Sequence, residues 1–179
     1  TRNLHREGIL AISKAPVFES RLQERAEVLI QRLLDHLDYV GVMALELFLK
    51  DDELLANEFA PRVHNSGHWT IDGARTSQFE NHLRAICGLP LGDSQCSLRS
   101  IMFNLLGEMP VFAGQEPADQ QAIPGLHWHD YHKTPRAGRK IGHVTVTAES
   151  EAGLKARAAQ LATELGLAAE MNLEALSGD

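Results

Sequence analysis

The spacing of apolar positions along the chain alternates between the period of a helix and the period of a strand. Apolar residues recur every three to four positions over residues 16–37, which predicts an amphipathic helix with a buried leucine stripe. The same spacing predicts helices over residues 76–87 and 150–165, with Thr76 or Ser77 and Ser150 as their N-caps. Residues 168–176 are expected to form a further helix.

Shorter apolar runs between the predicted helices indicate strands. His5 is expected in a loop that precedes the first strand, and residues 108–124 are expected to be irregular. The predicted strands cover residues 9–13, 41–50, 54–60, 97–106, 126–133 and 141–147.

The runs over residues 41–50 and 54–60 predict a hairpin that carries a carboxylate in each strand. A three-residue loop would pair Glu46 with Glu58 on one face, with Cβ atoms about 5 Å apart. Like charges in this arrangement are destabilising, and a divalent cation between them is the simplest reason for it. Oxygen ligands favour Mg²⁺ or Mn²⁺ over zinc. A loop of two or four residues would slip the register, and two solvent-facing glutamates with arginine partners are the alternative.

The residues that follow the hairpin have the side chains of an anion-binding loop. Proline cannot donate to a strand ladder, so pairing is expected to end at Pro61 and residues 62–70 are expected to be a loop. Arg62 can grip a phosphate with two parallel hydrogen bonds, and the Asn65-Ser66-Gly67 turn offers backbone N–H groups. His64 and His68 would suit zinc on a helix, but the residues between them disfavour one.

Two further clusters carry candidate chemistry. The basic residues Lys133, Arg136, Arg139 and Lys140 form either a phosphate clamp that closes over the Arg62 loop or an exposed hairpin tip. Three histidines at positions 127, 129 and 132 invite a zinc site, but no cysteine lies near them and further ligands would have to come from elsewhere.

Length and composition narrow the class of protein. A chain of 179 residues suggests one domain or two small ones, and the predicted strands and helices together indicate an α/β (α+β) fold. The best boundary gives residues 1–92 and 93–179. A net charge of −7 disfavours a nucleic-acid partner, and no apolar run is long enough to cross a membrane. A cytoplasmic protein with free thiols at Cys87 and Cys96 is expected, although a disulfide between them stays open.

Three motifs carry a resemblance to a known family. Glu46 together with NEFAPRVHNSGHWT at residues 57–70 resembles the signature of 5-(carboxyamino)imidazole ribonucleotide synthetase, an ATP-grasp family. The runs TSQFENH at residues 76–82 and RAGRKIGH at residues 136–143 are also similar to that family. The resemblance covers residues 3–147.

The resemblance implies a fold and a reaction. Residues 1–92 would form the C-terminal portion of an ATP-grasp domain, an antiparallel sheet with flanking helices, and residues 93–179 a small α+β unit. The reaction would join bicarbonate to the amine of 5-aminoimidazole ribonucleotide with cleavage of ATP. Glu46 and Glu58 would hold Mg²⁺ or Mn²⁺, with nucleotide contacts from His5, Asn57 and Glu58. The remaining implied site residues are Arg62, His64, Asn65 and Ser66 for bicarbonate and ribonucleotide, and Lys133, Arg139 and Lys140 for the ribonucleotide phosphate.

The resemblance also implies that more residues are needed for turnover. The chain would correspond to the C-terminal half of such an enzyme, whose intact form would be a homodimer. No lysine-bearing glycine-rich loop to cover a triphosphate is found, so the chain alone is expected not to turn over ATP. Another ATP-grasp carboxylase, a formate-using purine transformylase and a non-catalytic metal- or phosphate-binding module are the alternatives.

Overall fold

A five-stranded antiparallel sheet, in the order β1-β2-β5-β7-β6, forms the centre of the protein. The computed structural model describes residues 1–110 and 123–166. Two of the strands come from the start of the chain and three from its second half. The strands of this sheet are β1 (Arg2–Arg6), β2 (Ile9–Ala15), β5 (Arg99–Gly107), β6 (Leu126–Asp130) and β7 (Arg136–Ala148).

The main core lies between this sheet and the last described helix, α4 (Glu151–Glu164). Ser150 caps α4 by accepting a hydrogen bond from the Gly153 N–H, as its position before the helix predicted. Four residues of the predicted stripe are fully buried, and Leu165 is partly buried against the same core. The four buried residues are Leu154, Ala158, Leu161 and Ala162. They pack against alternate residues of the central strands, among them Ile101, Phe103, Val144 and Val146.

The two candidate carboxylates lie in a separate hairpin formed by β3 (Ala44–Lys50) and β4 (Glu53–Ala60). The predicted three-residue loop was wrong, because Lys50 pairs with Glu53 and only Asp51 and Asp52 form the turn. Both turn residues have positive φ, 49° and 63°, as the tight turns of hairpins require. A bulge further along the ladder then shifts the register by one residue, and Glu46 pairs with Glu58.

The first and third helices contribute less to the core than their patterns predicted. Helix α1 (Ser20–Leu37) begins later than the predicted residue 16, and none of its residues is fully buried within the described part of the chain. The prediction of a core leucine stripe on α1 was therefore wrong. Helix α3 (Gln78–Ile86) is capped by Ser77 as predicted, and it leaves Leu83 and Ile86 exposed.

Several smaller predictions changed in the structure. His5 lies inside β1 and not in a loop, because residues 2–6 pair with β2 across a turn at Glu7 and Gly8. Strand β6 ends at Asp130, before the predicted residue 133, and β7 begins at Arg136, before the predicted residue 141. Cys87 and Cys96 are free thiols, so the disulfide that stayed open does not form. The predicted helix at residues 168–176 and most of the irregular segment at 108–124 lie outside the described residues.

The central sheet joins strands from both sides of the predicted boundary between residues 92 and 93. Strand β2 pairs with β5, from Ile12 opposite Phe103 to Ala15 opposite Ser100. The division into residues 1–92 and 93–179 stays a prediction. Within the described ranges, no helix combines the length and the hydropathy that crossing a bilayer requires.

Candidate active site

The hairpin holds the carboxylates of Glu46 and Glu58 beside a buried histidine. His64 Nδ1 lies 3.8 Å from Glu46 Oε1, and His64 Nε2 lies 3.4 Å from Glu58 Oε1. Glu46 is nearly buried with 10% of its side chain exposed, whereas Glu58 is 59% exposed. The cluster therefore has an inner carboxylate on the protein side and an outer one open to solvent.

Glu46 Oε1 is the feature that fits a metal ion. This atom is buried, and among the residues that the structure describes no donor forms a hydrogen bond with it. A buried carboxylate oxygen without a partner is costly, and a cation would satisfy it. Asn57 Nδ2 donates to the other oxygen, Oε2, over 3.4 Å. Glu46, Glu58 and His64 each present one possible ligand atom within 4.8 Å of the other two, and carboxylate oxygens are the ligands that Mg²⁺ and Mn²⁺ prefer.

The loop after the hairpin is fixed by a side chain from helix α3. Gln78 accepts a hydrogen bond from the His64 N–H over 2.9 Å and donates one to the His64 carbonyl over 2.7 Å. Gly67 leaves room for this amide, since a Cβ there would lie 2.6 Å from Gln78 Oε1. Both backbone groups of His64 are therefore held, and its ring is set between the two carboxylates. Gln78 lies in the run at residues 76–82 that resembles the family, but the sequence alone does not show its contact with His64.

The Asn65-Ser66-Gly67 segment forms one turn of 3-10 helix and carries two of the predicted site residues. Ser66 Oγ lies 2.8 Å from His64 Nδ1, and the Ser66 N–H also reaches that nitrogen. Asn65 Oδ1 accepts a hydrogen bond from Lys140 Nζ on β7. Asn65 and Lys140 are 75 residues apart in sequence, so this contact closes the loop against the basic cluster.

The predicted basic residues occupy different environments. Lys140 is the one that enters the site, while Lys133 lies with its ammonium 4.9 Å from the centre of the Tyr131 ring. Arg139 donates to the Thr134 carbonyl over 3.2 Å at the exposed hairpin end. Arg62 is exposed and donates to the adjacent Val63 carbonyl. The structure thus brings Glu46, Glu58, His64, Asn65, Ser66 and Lys140 together, and it leaves Arg62 and Arg139 at the rim.

A hydrogen-bonded chain of rings supports Lys140 from behind. Lys140 Nζ lies 2.9 Å from His68 Nδ1, and the Tyr131 hydroxyl lies 3.0 Å from the same nitrogen. The Tyr131 hydroxyl also lies 2.7 Å from His143 Nδ1. His64 and His68 belong to different clusters, so the zinc pair considered for them does not form. The sequence did carry one signal for Tyr131, because strand alternation places it on the same side as Lys133.

Burial perturbs the titration of these groups. Desolvation, together with the positive charge of Lys133, lowers the pKa of Lys140 to about 7. Desolvation first and the Lys140 charge second lower the pKa of His68 to about 3. Burial raises the pKa of Tyr131 to about 12. Near neutral pH the His68 ring is therefore uncharged and Lys140 exchanges its proton readily, a combination typical of functional sites.

A cavity of about 400 Å³ adjoins Glu46. Its wall includes His5, Glu46, Asn57 and Ser66, together with apolar residues of β3 and α1. His5 Nε2 lies 3.8 Å from Glu46 Oε2 at the edge of this space. Glu46 thus lies between this cavity and the His64 ring.

A paired-carboxylate hairpin beside a basic anion loop, on an antiparallel sheet with helices, is the arrangement expected of an ATP-grasp domain. Residues 1–79 match the family model of the ATP-grasp domain, and residues 100–157 match that of the phosphoribosylaminoimidazole carboxylase C-terminal domain.

Curated relatives agree with these matches. The N5-carboxyaminoimidazole ribonucleotide synthase of Vibrio cholerae is 48% identical over 163 residues, which cover 91% of this chain and 42% of the relative. The Escherichia coli enzyme of the same name is 47% identical over 148 residues, covering 82% of this chain and 40% of the relative. The chain therefore spans less than half the length of these relatives.

Solved structures show the same similarity in three dimensions. The N5-carboxyaminoimidazole ribonucleotide synthetase of Thermus thermophilus has a TM-score of 0.85 and 49% identity, over 91% of this chain and 44% of that one. The Aspergillus clavatus enzyme in complex with ADP and 5-aminoimidazole ribonucleotide has a TM-score of 0.82 and 33% identity, over 92% of this chain and 46% of that one. The chain belongs to the N5-carboxyaminoimidazole ribonucleotide synthase family within the ATP-grasp enzymes.

Proposed function

We propose that the chain supplies the metal-binding and acceptor walls of an active site that carboxylates 5-aminoimidazole ribonucleotide with ATP and bicarbonate. The observation that carries the proposal is the convergence of Glu46, Glu58 and His64 with the Asn65–Lys140 contact. In this proposal the convergence joins a cation site to an anion site. The similarity to relatives that include a complex with ADP and 5-aminoimidazole ribonucleotide supports it.

In this proposal the bicarbonate oxygen attacks the γ-phosphorus of ATP, and ADP leaves with carboxyphosphate formed. The amine of the ribonucleotide then attacks the carboxyphosphate carbon and expels phosphate, and the amine loses one proton. The Mg²⁺ held by Glu46 and Glu58 would neutralise charge on the phosphates. The protein must also hold both acceptors still, because positioning supplies much of the rate in phosphoryl transfer.

The residues of this chain divide that positioning between them. His64, fixed by Gln78 and Ser66, and the Asn65 amide line the place where bicarbonate would meet the amine. Lys140, with Lys133 beside it, offers positive charge to the ribonucleotide phosphate, and Arg139 would reach it from the rim. His5 and Asn57 line the about 400 Å³ cavity, where they would contact the nucleotide. The cytoplasmic location and the homodimer implied by the resemblance stay predictions.

A graft tests this function directly. This chain would replace the matching segment of the Vibrio cholerae synthase, to which it is 48% identical over 163 residues. We expect the graft to release ADP only when both 5-aminoimidazole ribonucleotide and bicarbonate are present. Glu58→Gln in the graft should lower turnover by roughly 100-fold, since a metal ligand is lost.

Matched controls keep the result interpretable. Glu53 lies on the same strand as Glu58 but outside the cluster. Glu53→Gln should therefore leave turnover within about twofold of the unmodified graft, as surface substitutions usually do. A folded graft that releases ADP equally well without the ribonucleotide, or with formate in place of bicarbonate, would contradict the proposed reaction. The chain by itself is expected to show no ATP turnover, and robust turnover would show that no further residues are required.

A further inference from the structure

A second cluster of side chains with metal-ligand atoms contacts Tyr131 through His143. Asp72 of the short helix α2 (Thr70–Gly73), His129 of β6 and His143 of β7 each present one ligand atom within 4.8 Å of the other two. We propose that these three residues bind a transition-metal ion of the zinc type. This site is separate from the Glu46–Glu58–His64 cluster and does not depend on the proposed carboxylation.

His143 provides the observation that points to a ligand. Its side chain is buried with 1% exposed, and its Nδ1 is engaged by the Tyr131 hydroxyl. Within the described part of the chain, no group hydrogen-bonds to its other ring nitrogen, Nε2. A buried polar atom without a partner is costly, and a metal ion at Nε2 would remove that cost.

Asp72 and His129 supply the other two ligands. His129 Nε2 lies 2.9 Å from Asp72 Oδ2, and the Asp72 side chain is only 8% exposed. In this hydrogen bond a proton lies between His129 and Asp72, at the place where a bound ion would contact both side chains. His127 Nδ1 lies 3.6 Å from the second oxygen, Asp72 Oδ1, and could act as a fourth ligand. Two or three imidazoles with one carboxylate are a ligand set that suits zinc and does not suit Mg²⁺.

The metal-free geometry shows which side chain must move. The His129 and His143 rings are stacked 4.2 Å apart and are tilted by only 13°. Two parallel rings cannot both direct an in-plane lone pair at one ion, so one ring has to turn. His129 is the ring that turns, because 26% of its side chain is exposed whereas His143 is buried and held by Tyr131. The ion therefore replaces the Asp72–His129 hydrogen bond, and the ring proton of His129 moves from Nε2 to Nδ1.

The fold supplies the further ligands that the histidines at positions 127, 129 and 132 would need for a metal site. The missing ligands come from α2 and from the neighbouring strand β7, where His143 pairs directly with His129. His132 does not take part, because its side chain is 88% exposed and faces Asp130. Behind the cluster, Tyr131 fixes the tautomer of His143, as outer partners of metal ligands commonly do.

The test is a calorimetric titration of the metal-free chain with Zn²⁺ in a Glu58→Gln background, which weakens the Glu46–Glu58–His64 cluster. We expect one equivalent of Zn²⁺ to bind at Asp72, His129 and His143. In the same background, His129→Gln should weaken binding at least about tenfold. His132→Gln is the matched control and should leave the affinity unchanged. With Co²⁺ as the probe, the visible band of tetrahedral coordination should appear and should vanish with His129→Gln.

His143 is left unchanged, because a buried side chain is often needed for folding. Asp72→Asn is the second variant instead. It keeps a hydrogen-bond acceptor for His129 while it removes the charged ligand, and circular dichroism would verify the fold. We expect it to weaken Zn²⁺ binding as His129→Gln does. The proposal is overturned if the Glu58→Gln chain takes up no Zn²⁺, or if both folded variants bind it as tightly as their parent.

Discussion

Glu46 faces Glu58 across the β3–β4 hairpin even though the turn that joins these strands has two residues. A two-residue turn by itself would set Glu46 opposite residue 57. The bulge, where Asn57 is the extra residue, shifts the pairing by one and returns Glu58 to this position. Bulges of this kind commonly re-aim side chains beside active sites.

Pairing two carboxylates should cost stability until a cation binds. Without divalent metal, Glu58→Gln is expected to raise the free energy of unfolding by about 0.2–1 kcal/mol, because like charges directly opposite repel. In excess Mg²⁺ or Mn²⁺ the original chain should gain stability and the variant should not. Chemical denaturation with and without metal measures both effects. Glu53→Gln, which removes a charge opposite Lys50, should retain the metal-dependent gain.

Gln78 should be required for the order of the His64 loop. Gln78→Ala removes both hydrogen bonds to the His64 backbone and is expected to lower the free energy of unfolding by about 1–3 kcal/mol. The same variant should weaken Mn²⁺ binding, since His64 and the carboxylates lose their fixed arrangement. Gln23→Ala, which removes an exposed contact with Glu27, is the control. Equal stability of the two variants would show that Gln78 does not hold the loop.

Lys140 should make stability depend on pH above neutrality. Its pKa falls from 10.5 to about 7 on folding, so between these values the unfolded chain holds a proton that the folded chain has lost. The penalty is fully present below pH 7 and is relieved as the pH rises towards 10.5. The stability of the original chain relative to Lys140→Met should therefore rise with pH, by at most about 1.4 kcal/mol per unit.

Denaturation of both chains at pH about 6 and about 9 would measure this dependence. Lys155→Met removes an exposed lysine from α4 and controls for the loss of one positive charge. A relative stability that stays constant between the two pH values would contradict a lowered pKa for Lys140.

Leu154 should be worth far more to stability than an apolar residue of α3. It is fully buried under the central sheet, and Leu154→Ala is expected to cost about 2–5 kcal/mol through lost burial and a cavity. Leu83 is 59% exposed, and Leu83→Ala should change stability by less than about 0.5 kcal/mol. Thermal and chemical unfolding of both variants would measure the contrast, and similar losses would show that Leu83 is covered in solution.

The elements of the fold followed from local patterns more closely than their packing did. Helical spacing located α1, α3 and α4, and caps at Ser77 and Ser150 are local features that sequence shows directly. Periodicity cannot tell what covers an apolar stripe. Both α1 and α4 have apolar residues at helical spacing, but of the two only α4 has fully buried residues in the described part of the chain. The order of strands in the sheet depends on distant pairing and could not be predicted.

The same difference between local patterns and distant contacts decided which residues of the candidate site could be predicted. Residues adjacent in sequence, such as His64, Asn65 and Ser66, were identified from one stretch. Tyr131 and Lys140 reach His68 only through contacts 63 and 72 residues apart, and a pattern along the chain cannot show such contacts. The Glu46–Glu58 pairing was predicted from a wrong turn length, because the bulge that compensates for the shorter turn has no clear sequence signal.

Residues 1–79 and 100–157 match two different family models, but the pairing of β2 with β5 makes them parts of one sheet. Cutting the chain after residue 92 would expose the backbone hydrogen-bonding edges of both strands. Residues 1–92 and 93–179, produced as separate polypeptides, should therefore recombine through that edge when mixed. Co-elution of the two pieces in size-exclusion chromatography would show that they act as complementing halves, and separate elution of folded pieces would show that each can protect its own edge.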